Sequence, residues 1–499
     1  MRRTAAEPRF GAHLSNPSLP EDAQLRRLAA ATLMPGFTGT SMPGWIADAL
    51  AEGVGSVCIY GTNISCPVQL AALMKELRAA SPSVLLTLDE EGGDVTRLHY
   101  LTGSNQPGNA VLGRLDSPAT TSACAAAIAD ELAELGFNLN LAPDADVNST
   151  ATNPVIGVRS FGARASHVAA HTAAWVTGLQ NAGVAACAKH FPGHGDTATD
   201  SHLELPTIEV DLQTLREREL VPFTAAIAAG TASIMTSHIM VPVLDAQNPA
   251  TFSTAILQDL LREELGFTGA IITDALDMAG ASGETGIEAA AVRALAAGAD
   301  LLCLGSETSP ERYERILAAI IDAVHAGHLD PTRLEEAAWR VAVLGSAYPP
   351  GSCGTRGPDT AAVAKAIPDA AAITSAFEIS PAARSWISDP SPTALVQIET
   401  EANMAVGRVP WGLTAAGIAD TIEGAGPGAK IALAGRGLDA GHPVWQLAER
   451  LRSHGRNLIV VECGWPRGGA DIVTFGASAS VSRALLALLD PTRAHDAGS

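Results

Sequence analysis

Apolar positions along the chain fall into short runs of four to seven, each followed by a longer stretch with helical spacing. The runs are Ala31 to Phe37, Val54 to Tyr60, Val84 to Leu88, Phe137 to Leu141, Val184 to Ala188, Ala232 to Thr236, Ala270 to Thr273 and Ala299 to Leu304. Runs of this length with β-branched or apolar residues read as buried strands. The stretches between them, such as Ser117 to Leu135, Ala163 to Gln180, Asp211 to Ala229, Thr254 to Leu265 and Thr285 to Ala297, read as helices. Ser117-Pro118 is a cap with proline in the first turn, and Gly136, Gly230, Gly266 and Gly298 each stand where a helix should close. Eight strand-then-helix units predict an α/β fold, a (β/α)8 TIM-type barrel over residues 23–346. An open doubly wound sheet is the alternative, weakened by the lack of a Gly-x-Gly-x-x-Gly phosphate turn.

Residues 1–22 read as an N-terminal extension, and 347–360, dense in glycine and proline, as a linker. Beyond it Ala394 to Ile398, Lys430 to Gly435, Asn457 to Glu462 and Asp471 to Phe475 read as strands. With helical stretches at Pro443 to Ser453 and Val481 to Leu489, residues 361–499 predict a smaller α/β domain, a three-layer sandwich.

Composition narrows the class. The 499 residues are 47% apolar and 17% charged, as in a soluble protein with an ample core. A net charge of −21 argues against a nucleic-acid or anionic-membrane partner. No run of about 18 apolar residues suggests a membrane span. The Met1-Arg2-Arg3 start is followed by no apolar stretch, so no ordinary signal peptide is expected. Seven scattered cysteines, never spaced Cys-x-x-Cys, read as free thiols in a reducing compartment, and the expected location is cytoplasmic.

Candidate chemistry clusters after the fifth run, in Lys189-His190-Phe191-Pro192-Gly193-His194-Gly195-Asp196, followed by Asp200-Ser201-His202. Active sites of such barrels lie at the carboxyl ends of the strands. There the chain also carries Asp89-Glu90-Glu91 with Arg97, Asp144 and Asp146, Asn153 with Arg159, and Asp274 with Asp277. Three chemistries fit a cleft of this kind. A metal-dependent hydrolase would recruit His190, His194, Asp196, Asp200 and His202, although Phe-Pro-Gly between the first two histidines forbids a regular helix. Glycosyl transfer would use a carboxylate to attack the anomeric carbon and a second group to protonate the leaving oxygen. A binding module would merely have a polar cleft.

These residues decide among the three by resemblance. Lys189 to Thr197 with Asp200-Ser201-His202, Asp89 to Gly93 with Arg97, Asn153 to Gly157 with Arg159-Ser160-Phe161, and Thr273-Asp274-Ala275-Leu276 resemble glycoside hydrolase family 3 β-N-acetylglucosaminidases of the NagZ type, over residues 23 to 345. The resemblance implies a retaining exo-β-N-acetylglucosaminidase acting on cell-wall (muropeptide) or chitin-derived oligosaccharides, with a role in recycling cell-wall fragments. It implies Asp274 as nucleophile, His202 as general acid/base with Asp200 as its dyad partner, and Asp89, Arg97, Arg159, Lys189 and His190 as sugar-binding residues. No cofactor and no metal are expected, and the partner is a small oligosaccharide.

The chemistry coheres on its own terms, because a histidine titrating near about 6.5 can both donate and accept a proton near neutrality. A neutral base also keeps a second negative charge away from the nucleophile. A phosphorylase using the same covalent intermediate is the nearest alternative. Two departures from the family stand out. Asp94 occupies a position where many relatives carry arginine. Glu399, Glu401 and Glu462 lie near strand ends of the second domain, where family 3 β-glucosidases find their acid/base glutamate, but in no recognisable motif.

Overall fold

The computed structural model describes residues 20–197, 205–283, 285–351, 367–400 and 405–496. Most of the N-terminal extension, the linker from residue 352, and the positions of Asp200, His202 and Glu401 lie outside the described residues.

The first part is a TIM-type α/β fold. Its strands are β1 (Leu33–Met34), β2 (Ser56–Cys58), β3 (Leu85–Leu88), β4 (Leu139–Asn140), β5 (Ala185–Phe191), β6 (Ser233–Thr236), β7 (Ala270–Ile272) and β8 (Leu302–Cys303). β2 to β7 form one parallel sheet in sequence order, and β1 pairs with β8. Hydrogen bonds join the two sheets at both edges, Cys58 N to Pro35 O at 3.0 Å and Thr273 N to Leu301 O at 2.9 Å. Alternate strand residues point to different layers. Leu86, Leu88, Ala186, Ala188, Ile234 and Ile271 join the core beneath the helices, whereas Leu85, Leu139, Ala185, Cys187, Met235 and Ile272 pack together in a separate cluster with Met34 and Cys58. A strand buried on both faces needs apolar residues at every position, which is why the runs show no alternation.

Helices follow the expected stretches. Pro118–Leu135 starts at Ser117, whose side chain accepts from Thr120 N, and ends at Gly136 with φ 90°. Two stretches predicted as plain helices are wound with a wider pitch over Leu215–Glu219 and Ala255–Glu264. A further difference is at β5, which continues past Ala188 through Lys189 and His190 to Phe191. The sequence placed these residues in a loop. The backbone instead stays paired, Lys189 N donating to Pro143 O at 3.0 Å and Ser237 N to Phe191 O at 3.0 Å.

A second sheet contains β9 (Glu378–Ile379), β10 (Thr393–Gln397), β11 (Lys430–Gly435), β12 (Leu458–Glu462) and β13 (Ile472–Val473), in the order β10-β11-β12-β13-β9. All pairings are parallel except that of β9, an edge strand the sequence did not reveal. Leu395, Ala432, Ala434, Ile459 and Val461 pack on one face with Trp386 and Leu485. Ala394, Val396, Ile431, Leu433, Leu458 and Val460 pack on the other with Val444 and Ala448.

The first face also receives Ala110 and Val111 from the helix Asn109–Leu115 of the barrel part. Around that apolar contact, Arg114 lies 4.0 Å over the Phe475 ring and Arg467 Nη2 donates to Asn153 O at 2.5 Å. Asp94 accepts from Ala477 N at 2.7 Å. Asp94 thus holds a loop of the second part to the barrel's strand-end loops.

Candidate active site

The site begins with the turn after β3. Glu90 is buried, and its Oε2 accepts from Thr96 Oγ1 at 2.8 Å, Arg97 N at 2.9 Å and Leu98 N at 2.9 Å. Asn140 brackets the Glu90 backbone, accepting from its N at 2.9 Å and donating to its O at 2.8 Å. Gly93, at φ 68°, brings the loop so close to Gly108 that a Cβ would stand 2.5 Å from its Cα. Only glycine tolerates both that conformation and that approach. Arg97 is thereby aimed across the cleft, where its Nη2 donates to Ala405 O of the second part at 2.8 Å.

A charged network fills the floor. Lys189 Nζ sits 2.6 Å from Asp89 Oδ1 and 2.8 Å from Glu91 Oε1. Arg159 grips Glu91 with two parallel bonds, Nε to Oε2 at 3.0 Å and Nη2 to Oε1 at 2.7 Å. Its Nη2 also lies 3.3 Å from His190 Nε2, and His190 Nδ1 donates to Asp146 Oδ2 at 2.7 Å. Lys189, Glu91, Arg159, His190, Asp144 and Asp146 are all buried. Burial alone would raise the Glu91 carboxyl, but the Arg159 and Lys189 charges outweigh it and hold it below its ordinary range. Burial likewise opposes the Lys189 charge, and Asp89 and Glu91 reverse the effect, raising it. Asp144 goes the other way, raised well above the carboxylate range by burial and then by the Asp146 charge.

The loop after β5 is stapled down. Asp146 Oδ1 accepts from His194 N at 2.7 Å, and Asn153 Nδ2 donates to His194 O at 3.0 Å and Gly195 O at 3.1 Å. A Cβ on Gly195 would stand 1.8 Å from Val147 O. His194 is buried, bonded to Thr197 Oγ1 at 2.9 Å, and burial pushes its pKa down to about 4. Asp196 accepts from Arg218 Nη2 at 2.5 Å. The five-residue metal set suggested by spacing is therefore not assembled among its described members, since His190 is held by Asp146 and Asp196 by Arg218.

Opposite stands the loop after β7. Thr273 Oγ1 accepts from Cys303 N at 3.0 Å, Leu276 N donates to Cys303 O at 2.8 Å, and Asp274 Oδ1 accepts from Ala275 N at 2.8 Å. His238 donates from Nε2 to Ala275 O at 3.1 Å, so this buried histidine props the Asp274 loop. The cleft has two compartments. An inner one of about 60 Å³ is lined by Asp89, Arg97, Arg159, Lys189, His190 and Asp274 among others. The outer one, about 560 Å³, is lined by Asp274, Asp277, Tyr60, Tyr100, Met235 and Gly407 among others. Asp274 lines both compartments, and Asp277 only the outer.

Six of the eight residues singled out from the sequence thus converge on one cavity, and the other two, Asp200 and His202, lie outside the described residues. Sequence reasoning missed Glu91, Asp144 and Asp146 as individual partners, and His238 as a prop. Their adjacency to the motifs was the available signal. Ala405 and Gly407 had none, because they reach the cleft from the other sheet. Of the second part's glutamates, Glu462 is buried and spent on backbone, accepting from Gly437 N at 2.9 Å and Leu438 N at 2.7 Å.

Residues 41–344 match the family model of the glycosyl hydrolase family 3 N terminal domain. The chain belongs to glycosyl hydrolase family 3. The expectation of a glycoside hydrolase rests on that membership. A beta-hexosaminidase A from Pseudoalteromonas piscicida is 33% identical over 339 residues, 63% of this chain and 57% of that protein. This chain therefore spans little more than half of that relative's length. A beta-hexosaminidase from Methylococcus capsulatus is 38% identical over 268 residues, 53% of this chain and 79% of the relative. The solved family 3 beta-N-acetylglucosaminidase from Paenibacillus sp. str. FPU-7 superposes with a TM-score of 0.80 at 29% identity, covering 93% of this chain and 96% of that one. Coverage that wide takes in both sheets. Among the described residues, no helix is long and apolar enough to cross a membrane.

Proposed function

We propose that this protein is a retaining exo-β-N-acetylglucosaminidase that releases terminal non-reducing N-acetylglucosamine from cell-wall (muropeptide) or chitin-derived oligosaccharides. The observation that carries this reading is the position of Asp274, which lines both the inner charged compartment and the wide outer one, as Asp89 does, whereas Asp89 is ion-paired with Lys189. In this reading the inner compartment takes the terminal sugar and the outer one the rest of the oligosaccharide. Asp89, Arg97, Arg159, Lys189 and His190 grip the sugar hydroxyls and amide, held in place before substrate arrives by the Asp89–Lys189 pair and by contacts to Glu91, Asp146 and the Ala405 carbonyl.

Asp274 attacks the anomeric carbon as the glycosidic bond breaks, forming a glycosyl-enzyme ester. His202, oriented by Asp200, gives its proton to the leaving oxygen. It then takes one from the water that cleaves the ester, and two inversions return the original configuration. The two halves of the chain divide this labour. Residues 23–346 form the catalytic domain, and 361–499 a second domain that completes the cleft rim through Ala405 and Gly407. Recycling of cell-wall fragments in the cytoplasm goes with this substrate.

Trapping with a fluorinated N-acetylglucosamine analogue, followed by digestion and mass spectrometry, tests the reading. The added sugar mass is expected on Asp274. A label on Asp277, or no label despite turnover, would refute the assignment. Turnover in the presence of phosphate should still yield free N-acetylglucosamine, and a sugar 1-phosphate product would transfer the second step from water to phosphate.

A further inference from the structure

Away from the cleft, three side chains converge with no counterpart in the reaction. His167 and His171 stand four residues apart on the helix Ala165–Asn181, hence on one face, with ring centroids 4.6 Å apart. Asp116, which closes the helix Asn109–Leu115, places Oδ1 3.2 Å from His167 Nδ1 and 4.0 Å from His171 Nε2.

The hydrogen bonds fix the proton of His167, whereas the Thr121 hydroxyl beside His171 can either donate or accept. His167 Nε2 lies 2.9 Å from Gly113 O, which can only accept, so the proton of the neutral ring is on Nε2. Its Nδ1 lone pair then faces a carboxylate oxygen, acceptor against acceptor. His171 Nδ1 lies 2.7 Å from Thr121 Oγ1, and with its proton there it donates to the hydroxyl. In that tautomer Nε2 is a bare lone pair, and in the other its N–H lacks an acceptor. The ring is 0% exposed, and Nε2 has no hydrogen-bond partner among the described residues. A buried polar atom left without a partner costs about 1–3 kcal/mol. Protonating His167 would answer Asp116 but leave His171 Nε2 unsatisfied. A cation answers all three.

From this geometry we infer that Asp116, His167 and His171 form a binding site for one divalent transition-metal ion, of which Zn²⁺ suits the ligands best. Two imidazoles and one carboxylate are ordinary zinc ligands, and four-coordinate zinc with bonds near about 2.05 Å needs ligand atoms about 3.3 Å apart. The two distances from Asp116 Oδ1 bracket that spacing. Asp116, at 72% side-chain exposure, leaves the fourth position open to water. The Gly113 and Thr121 contacts orient both rings through their second nitrogens, as neighbours of metal-bound histidines do.

The ion would clip two elements that bracket the active-site segment. Asn109 Nδ2 donates to Arg159 O at 2.6 Å, and Phe161 stacks on His171 at 5.3 Å. The site therefore stabilises the scaffold and takes no part in glycoside chemistry.

The test strips the full-length protein with chelator and titrates it with Zn²⁺ alone, reading stoichiometry by calorimetry and elemental analysis and stability by thermal unfolding. One ion per chain and a raised melting temperature are expected. Asp116→Asn and His167→Ala should abolish both, and because Asp116 is exposed its variant keeps the fold. Thr121→Val should weaken binding about 10- to 100-fold and, because it strands His171 Nδ1, should also lower the metal-free melting temperature. No uptake would overturn the inference, as would equal uptake by the Asp116→Asn variant. A metal-independent drop in melting temperature on Asp116→Asn, with no zinc effect in the parent, would reduce the cluster to an ion pair. None of these readouts depends on glycoside turnover.

Discussion

Glu91 and Glu462 are both buried glutamates at the carboxyl ends of parallel strands, one in each half of the chain, and they have opposite electrostatics. Glu91 lies between Arg159 and Lys189 and stays ionised. Glu462 accepts mainly backbone N–H groups, and burial pushes its pKa up to about 7. Asp89, Glu91, Arg159 and Lys189 are thus charges kept in a dry place, each answered by another, and such a floor can trade one hydrogen-bond partner for a sugar hydroxyl. The end of β12 is built to fold a loop. These two strand ends differ because Glu91 is ion-paired with two cations whereas Glu462 is held by backbone N–H groups.

Four experiments can break or sharpen this contrast. The largest effect is expected from Asp274→Ala, a loss of aryl N-acetylglucosaminide turnover of about 10⁴-fold or more with the fold retained. Asp277→Asn, altering a carboxylate confined to the outer compartment, should keep most activity, and equal losses would refute the choice between them.

Next comes His202→Ala. It should cost about 10²- to 10⁴-fold on substrates with poor leaving groups and much less on activated aryl glycosides. Glu462→Gln should show no such dependence on the leaving group. If it did, proton transfer would have to be reassigned to the second sheet.

Third, Glu91→Ala strands two buried cations and should lower unfolding stability by about 3–5 kcal/mol in urea titrations. Glu462→Ala strands only backbone donors, at about 1–3 kcal/mol. Equal costs would erase the distinction.

The smallest effect is on pH dependence. Glu462 binds its proton more tightly when folded, so its contribution is fully present below about pH 4.5 and is lost as pH rises toward about 7. Glu91, depressed on folding, contributes above its unfolded pKa, and that contribution fades as pH falls below it. Glu462→Gln should therefore make the slope of urea midpoints between about pH 4.5 and about 7 less negative than the parent's, while the opposite contribution of His194 is the same in both. An unchanged slope would mean the Glu462 carboxyl is not perturbed.

Much of this was legible along the chain. The eight apolar runs mark β1 to β8 because a strand covered on both faces cannot hide polar residues. Helix ends at Gly136, Gly230, Gly266 and Gly298 were readable because each adopts a positive φ, from 70° at Gly266 to 125° at Gly298. Asp274, Lys189 and Arg159 were legible because motif residues follow strand ends, where a barrel gathers its chemistry. The strand β9 was not, since two residues at a sheet edge leave no periodicity. Nor was Asp196's turn toward Arg218, a contact across 22 positions.

The sequence by itself determined the order of strands and helices, the strand-end position of the polar motifs and the family. Tertiary structure alone decided how those motifs are used. It chose which carboxylate meets which cation, set Asp274 rather than Asp277 at the junction of the two compartments, and brought Ala405 into the cleft. It also assembled Asp116 with His167 and His171 across some fifty residues of chain. Local pattern specifies burial and backbone conformation, because both follow from neighbouring residues. Pairing of charges does not, because a Coulomb partner is fixed by distance in space, and the low dielectric of the interior makes that distance count.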